Sequence, residues 1–171
     1  MNKIFHYYVE GECEQKLINE LKKAGVQKLV SGKVEVLNVI TERISDRRLL
    51  ALKKKTVIIL VYDIDKPKTE ILEENIEKLK NNGFTNIIHI QSIRNFEDEI
   101  VFSTTIKKIN ELFNTQGVSD FKTSFISHKN IMSKLNSVNF NYKKLWSRVN
   151  YSEPFSKYSN VNDLSSIKIK K

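Results

Sequence analysis

The apolar run VIILV at 57–61, inside the segment TVIILVYDID, shows no alternation of apolar and polar positions. A strand that is apolar on both faces belongs in the middle of a parallel sheet with helices on each side. Three more segments read as strands: KIFHYYV at 3–9, VEVLNVI at 34–40 and TNIIHIQS at 85–92. Between them the period changes to a helical one. Leu17, Ile18, Leu21 and Ala24 predict a helix that Gly25 stops. Ser45 is placed to cap a short helix through Leu49, Leu50 and Leu52. Pro67 is placed at the first turn of a helix buried through Leu72, Ile76 and Leu79 and ended by Asn82 and Gly83. Ile93, Phe96, Ile100, Ile106 and Ile109 set a helical period over 93–113. Past Asn114 the pattern weakens. Gly117 and its polar neighbours read as loop, Ile131, Leu135 and Val138 mark one short helix, and Tyr142, Leu145, Trp146 and Val149 mark another. The final IKIKK carries too little apolar surface to anchor, so it is expected to fray or to add a short edge strand. This divides the chain into an α/β unit at 1–113 and a smaller helical extension at 114–171 on the same core.

The organising strand ends in two carboxylates, Asp63 and Asp65, and the first strand ends in Glu10. In open α/β sheets the carboxyl edge of the strands is where ligands bind. Carboxylates held together repel unless a positive charge lies between them, and a divalent cation is the natural third party. Gly11 permits a tight turn after Glu10, but a single glycine does not make a phosphate cradle. Glu97 falls near the apolar face of its helix, where an unpaired carboxylate is costly; it either pairs with a base such as Arg94 or reaches the metal pocket. Asp98 and Glu99 read as solvated, His89 as a core histidine, and Tyr7, Tyr8 and Tyr62 as packing residues in strands.

Charge sharpens the picture. The chain of 171 residues carries a formal net charge of +9. From Asn114 onward ten Lys and Arg stand against three Asp and Glu, so +7 of that charge lies in the extension. A basic surface beside an acidic metal site suggests a polyanion brought to a cation, with DNA or RNA as the partner and Lys66, Arg94, Lys143, Lys144 and Arg148 as candidate phosphate contacts. The bland alternative is that most of these lysines are simply solvated. Cys13 is the one cysteine, which excludes an internal disulfide and a thiolate zinc cluster and fits a cytoplasmic setting. No apolar stretch reads as a signal peptide or a membrane span.

A Glu-Gly turn after the first strand, in YYVEGECEQ, followed by Asp-x-Asp after a later apolar strand, in VIILVYDID, resembles the two motifs of the TOPRIM domain over residues 3–102. The segment QSIRNFEDEI resembles the downstream element of TOPRIM nucleases of the overcoming-lysogenization-defect and related phage-defence type. There a serine and a Phe-Glu pair follow the fourth strand; here Arg94 stands where a proline often precedes that pair. The resemblance implies a Rossmann-like, four-stranded parallel sheet flanked by helices, with the first and third strands adjacent so that Glu10 faces Asp63 and Asp65. It also implies magnesium or manganese and phosphodiester chemistry. Asp63 and Asp65 would hold the ion, Glu10 would bind a second ion or act as general acid or base, and Glu97 would complete a two-ion site.

Among TOPRIM enzymes, topoisomerases need a separate domain with a nucleophilic tyrosine, and primases need a zinc module and a larger core. What is left is a small metal-dependent endonuclease, RNA-processing or part of a defence system. No ATPase motif is present, so any ATP-driven component would be a separate chain. A noncatalytic TOPRIM-like module that binds nucleic acid or protein is the alternative. A phosphotransfer receiver would want a lysine on the last strand, and the fourth-strand region offers none; a haloacid-dehalogenase phosphatase would want Thr or Val after the second Asp, which DIDKP lacks.

Overall fold

The structure, a computed structural model, describes residues 3–23, 25–158 and 163–169. Strands β1 (Ile4–Val9), β2 (Lys33–Val36), β3 (Thr56–Asp63) and β4 (Ile87–Ser92) form one parallel sheet in the order β2-β1-β3-β4. Every β3 residue from Thr56 to Tyr62 is buried, as an unbroken apolar run requires. The register pairs Val9 with Val61 and Asp63 with Ser92.

Strand order reverses between β1 and β3. Because parallel crossovers are right-handed, stepping from β1 to β2 and from β3 to β4 in opposite directions puts the connecting helices on opposite faces. Helix α1 (Glu12–Lys22) accordingly packs Leu17, Ile18 and Leu21 on Tyr7, Val9, Ile59 and Val61. After the short α2 (Asp46–Leu50), helix α3 (Glu70–Asn81) packs Leu72, Ile76 and Leu79 on Tyr8, Ile58, Leu60 and Tyr62. The architecture is α/β and Rossmann-like. Ser45 caps α2 as expected, accepting from the Arg48 amide, and Gly83 follows α3 at a φ of 86°. The helix ends at Leu50, which is exposed, short of the Leu52 it was expected to reach. Among the described residues no helix is long and apolar enough to cross a membrane.

Local hydrogen bonding moves several boundaries. Strand β2 stops at Val36, because Asn38 Oδ1 accepts the Ile40 amide and turns the chain; Leu37, Val39 and Ile40 are buried all the same. Helix α3 starts at Glu70 rather than at Pro67, since the Lys68 amide bonds back to the Lys66 carbonyl in a tight turn that a helix cannot continue through. The helix expected over 93–113 is only α4 (Phe96–Phe102). Arg94 at a φ of 70° breaks it at the front, and Asn95 caps it by accepting the Asp98 amide. At its end the Ser103 and Thr104 hydroxyls bond back to Glu99 and Ile100 carbonyls, and a 3-10 turn, Ile109–Leu112, follows.

The extension is more ordered than its sequence suggests. Residues taken for loop form α5 (Val118–Ser127), whose Phe121 and Phe125 are fully buried. Lys16 on α1 closes the carboxyl end of α5 by donating to the Ile126 and His128 carbonyls at 2.5 and 2.6 Å, where the helix dipole favours a cation. Helix α6 (Ile131–Asn136) lies where Ile131 and Leu135 placed it. No helix forms over 142–149. Trp146 sits at a φ of 56° and gives its amide to Glu99, while Leu145 and Trp146 still fill the core. Helix α7 (Asp163–Ile167) buries Ile167, and Lys168 bridges antiparallel to Leu29, so the tail docks through Ile169. Ala24, Lys170 and Lys171 lie outside the described residues.

Glu99, expected to be solvated, is 0% exposed. Its carboxylate accepts the Ile93 and Trp146 amides at 2.9 and 3.0 Å and pairs with Arg148 at 2.7 Å. That satisfies a buried charge, and it ties Arg148, a candidate phosphate contact, to the fold. Removing one partner of a buried ion pair strands the other charge. Arg148→Ala is therefore expected to lower unfolding stability by about 3 kcal/mol, the low end of the range because the arginine keeps some solvent contact. Urea denaturation checks this, with Lys143→Ala as a surface control expected to change stability by less than about 0.5 kcal/mol.

Candidate functional site

Pairing of β1 with β3 brings two strand ends together at the point where strand order reverses. Glu10, the residue after β1, accepts the Asp63 amide on Oε2 at 3.0 Å. Asp63, the last residue of β3, accepts the Phe96 amide on Oδ2 at 3.3 Å, so the first turn of α4 also points at it. Glu14 joins them from α1, one helical turn after Glu10, and is 5% exposed. Gly11 leaves room for this carboxylate: a Cβ there would lie 3.1 Å from Glu14 Oε2.

These three acids lie close to one another, Glu14 buried and Glu10 and Asp63 half-buried, and their protonation follows. Burial, reinforced by the charges of Glu10 and Glu14, pushes the Asp63 carboxyl up to about 9. Ser92 beside it and the Phe96 amide pull the other way, although Ser92 makes no hydrogen bond of good geometry and Asp63 Oδ1 stays buried without one. Burial also raises Glu14 to about 7, helped by Glu10 and Glu97. Glu10 is raised by burial and by Asp65, against the Asp63 amide, Lys122 and Lys66. Cys13 is driven up to about 12 by burial and by Glu14, which keeps the thiol protonated and unreactive.

Asp65 lies past the end of β3 and is exposed, yet near enough to Glu10 to act on it. Glu97 is 7% exposed and pairs with Lys122 of α5 at 3.3 Å, not with Arg94. Glu14, Phe96, Glu97 and Lys122 line one pocket of about 220 Å³ together with Gly11 and Cys13. Of the candidate phosphate contacts, Lys66 is exposed and close to Glu10. Arg94 is exposed and 3.7 Å from Asp98. Lys143 and Lys144 are exposed on the extension, Lys144 over the ring of Phe102. His89 packs on Tyr158 as a core residue.

Two members of the cluster were not singled out from sequence, Glu14 and Lys122. The signal for Glu14 was its spacing of four from Glu10, on the same side of a helix that starts at the strand end. Lys122 offered none, because its segment read as loop.

Among the described residues no three His, Cys, Asp or Glu side chains converge as a ready-made cation cage. The donors nonetheless fit a hard divalent cation. They are carboxylate oxygens that repel one another, one buried oxygen lacks a partner, and magnesium needs only one or two protein carboxylates because it keeps its waters. No protein-family model matches the chain, and neither a curated protein nor a solved structure does.

A carboxyl raised in the folded state binds its proton more tightly there than in the unfolded chain, so it stabilises at low pH and that contribution is lost as pH rises through the folded value. For Asp63 the window runs from its ordinary 3.8 up to about 9. With chelator present, the wild-type melting temperature is expected to fall from pH 5 to pH 9, and Asp63→Asn to flatten that slope and to melt higher than wild type at pH 8. Equal slopes for the two proteins would remove Asp63 as the source.

Proposed function

We propose that this chain is a small, divalent-metal-dependent nucleic-acid phosphodiesterase of the TOPRIM type. The observation that carries the reading is the Glu10 carboxylate seated on the Asp63 amide at the strand-order reversal, inside a group of carboxylates that burial and mutual repulsion hold away from their ordinary ionisation. A cation relieves that repulsion, so it binds best where the protein alone is least satisfied.

In this reading Asp63 and Asp65 hold the ion through carboxylate oxygens, and Glu14 adds a third donor from α1. Glu10, with its raised affinity for a proton, takes a proton from the attacking water or returns one to the leaving oxygen. Magnesium or manganese, when bound, supplies Lewis acidity at a phosphate oxygen and lowers the pKa of bound water. Lys66, close to Glu10, and the exposed Arg94 draw the phosphate backbone to the site, while Lys143 and Lys144 extend the basic surface along the extension. In this reading any ATP-driven step is supplied by a separate ATPase chain.

A noncatalytic binding module is the second reading, favoured by the absence of a ready-made cation cage among the described residues. The two separate on one experiment. Wild type and Asp63→Ala are incubated with supercoiled plasmid, single-stranded DNA and structured RNA, with magnesium or manganese. The expected result is metal-dependent cutting of at least one polymer by wild type, reduced to background in Asp63→Ala, with substrate binding largely kept. Binding by both proteins with no cutting of any substrate favours the module.

A further inference from the structure

A site that uses two ions places them about 4 Å apart, each with its own carboxylates. Glu97 is the side chain available to the second position here, because it shares a pocket with Glu14 and is within electrostatic reach of it. That carboxylate already has a cation. Lys122 reaches from α5 to within 3.3 Å of Glu97 Oε1, an oxygen that is buried and makes no hydrogen bond of good geometry. The same ammonium acts on Glu10, Glu14 and Cys13, so it faces the interior of the cluster and not merely one partner. Its stem is half-exposed on the surface of α5, which lets it adjust without disturbing the core.

We infer that the Lys122 ammonium stands in for a second cation at Glu97, so that the site takes one divalent ion at its Glu10 and Asp63 end and admits a second only when Lys122 is neutralised. The inference rests on the divalent-cation reading of the same site and adds its stoichiometry.

The test is calorimetric titration of manganese into the full chain, freed of metal by chelator and dialysis. Wild type is expected to bind one equivalent, Lys122→Arg one, and Lys122→Gln two, the glutamine amide keeping a hydrogen bond to Glu97 while removing the charge. Melting curves would show a larger manganese-induced rise for Lys122→Gln than for wild type. Two equivalents on wild type, which needs no variant to measure, overturn the lysine's role and leave the cation reading standing. A folded Lys122→Gln that still binds one equivalent does the same. No manganese bound by any of the three proteins overturns both.

Discussion

The ladder between β1 and β3 is the constraint on which the rest depends. It is long, parallel and central, and it ends with Val9 opposite Val61, so Glu10, the residue after β1, comes level with Tyr62, one short of the end of β3. The Asp63 amide then finds the Glu10 carboxylate at 3.0 Å. A slip of one residue would send Tyr7 and Val9 to the α3 side and Tyr8 to the α1 side, exchanging the contents of two different cores. The position of the acids is therefore fixed by apolar packing on both faces, well away from the acids themselves.

That packing holds together groups that would separate if they were free. Asp63 is repelled by both Glu10 and Glu14, and the Phe96 amide and Ser92 offset the repulsion only in part. Elsewhere in the molecule a buried acid is fully answered: Glu99 has two amides and an arginine. The contrast matters more than either case alone. A fold that can satisfy one buried carboxylate so completely, yet leaves Asp63 at the end of β3 with an unpartnered oxygen, has its local conflict where strand ends converge, and such conflicts gather at functional sites.

Much of this was legible from periodicity. The unbroken VIILV run announced a two-sided strand, and Leu72, Ile76 and Leu79 announced the buried face of α3. Glu10 and Asp63 could be placed at strand ends because a strand end follows from where the apolar run stops. What could not be read depends on contacts distant in sequence. Glu99 looked solvated because its partners, Trp146 and Arg148, come from another part of the chain. Phe121 and Phe125 were spaced by four, but the intervening Lys122, Thr123 and Ser124 diluted a helix that needs only two buried rings to hold it. The turn at 142–149 had helical spacing without being a helix, since a side-chain acceptor took the Trp146 amide from the backbone.

The extension ties these observations together. Phe96 of α4 meets Phe125 of α5 edge to face at 5.4 Å, and this contact seats both helices against the sheet. Glu97 directly follows Phe96 and Lys122 directly follows Phe121, so the rings that close the core also set the two charged side chains at the rim of the acid site. Two residues further along α4, Glu99 points away from Glu97 and takes Arg148. Helix α4 is thus held on two sides by cations from the extension, one facing the candidate site and one facing the core. Residues 114–171 supply the countercharge for both carboxylates of this seven-residue helix. The extension is for that reason part of the site's structure as well as a source of basic surface.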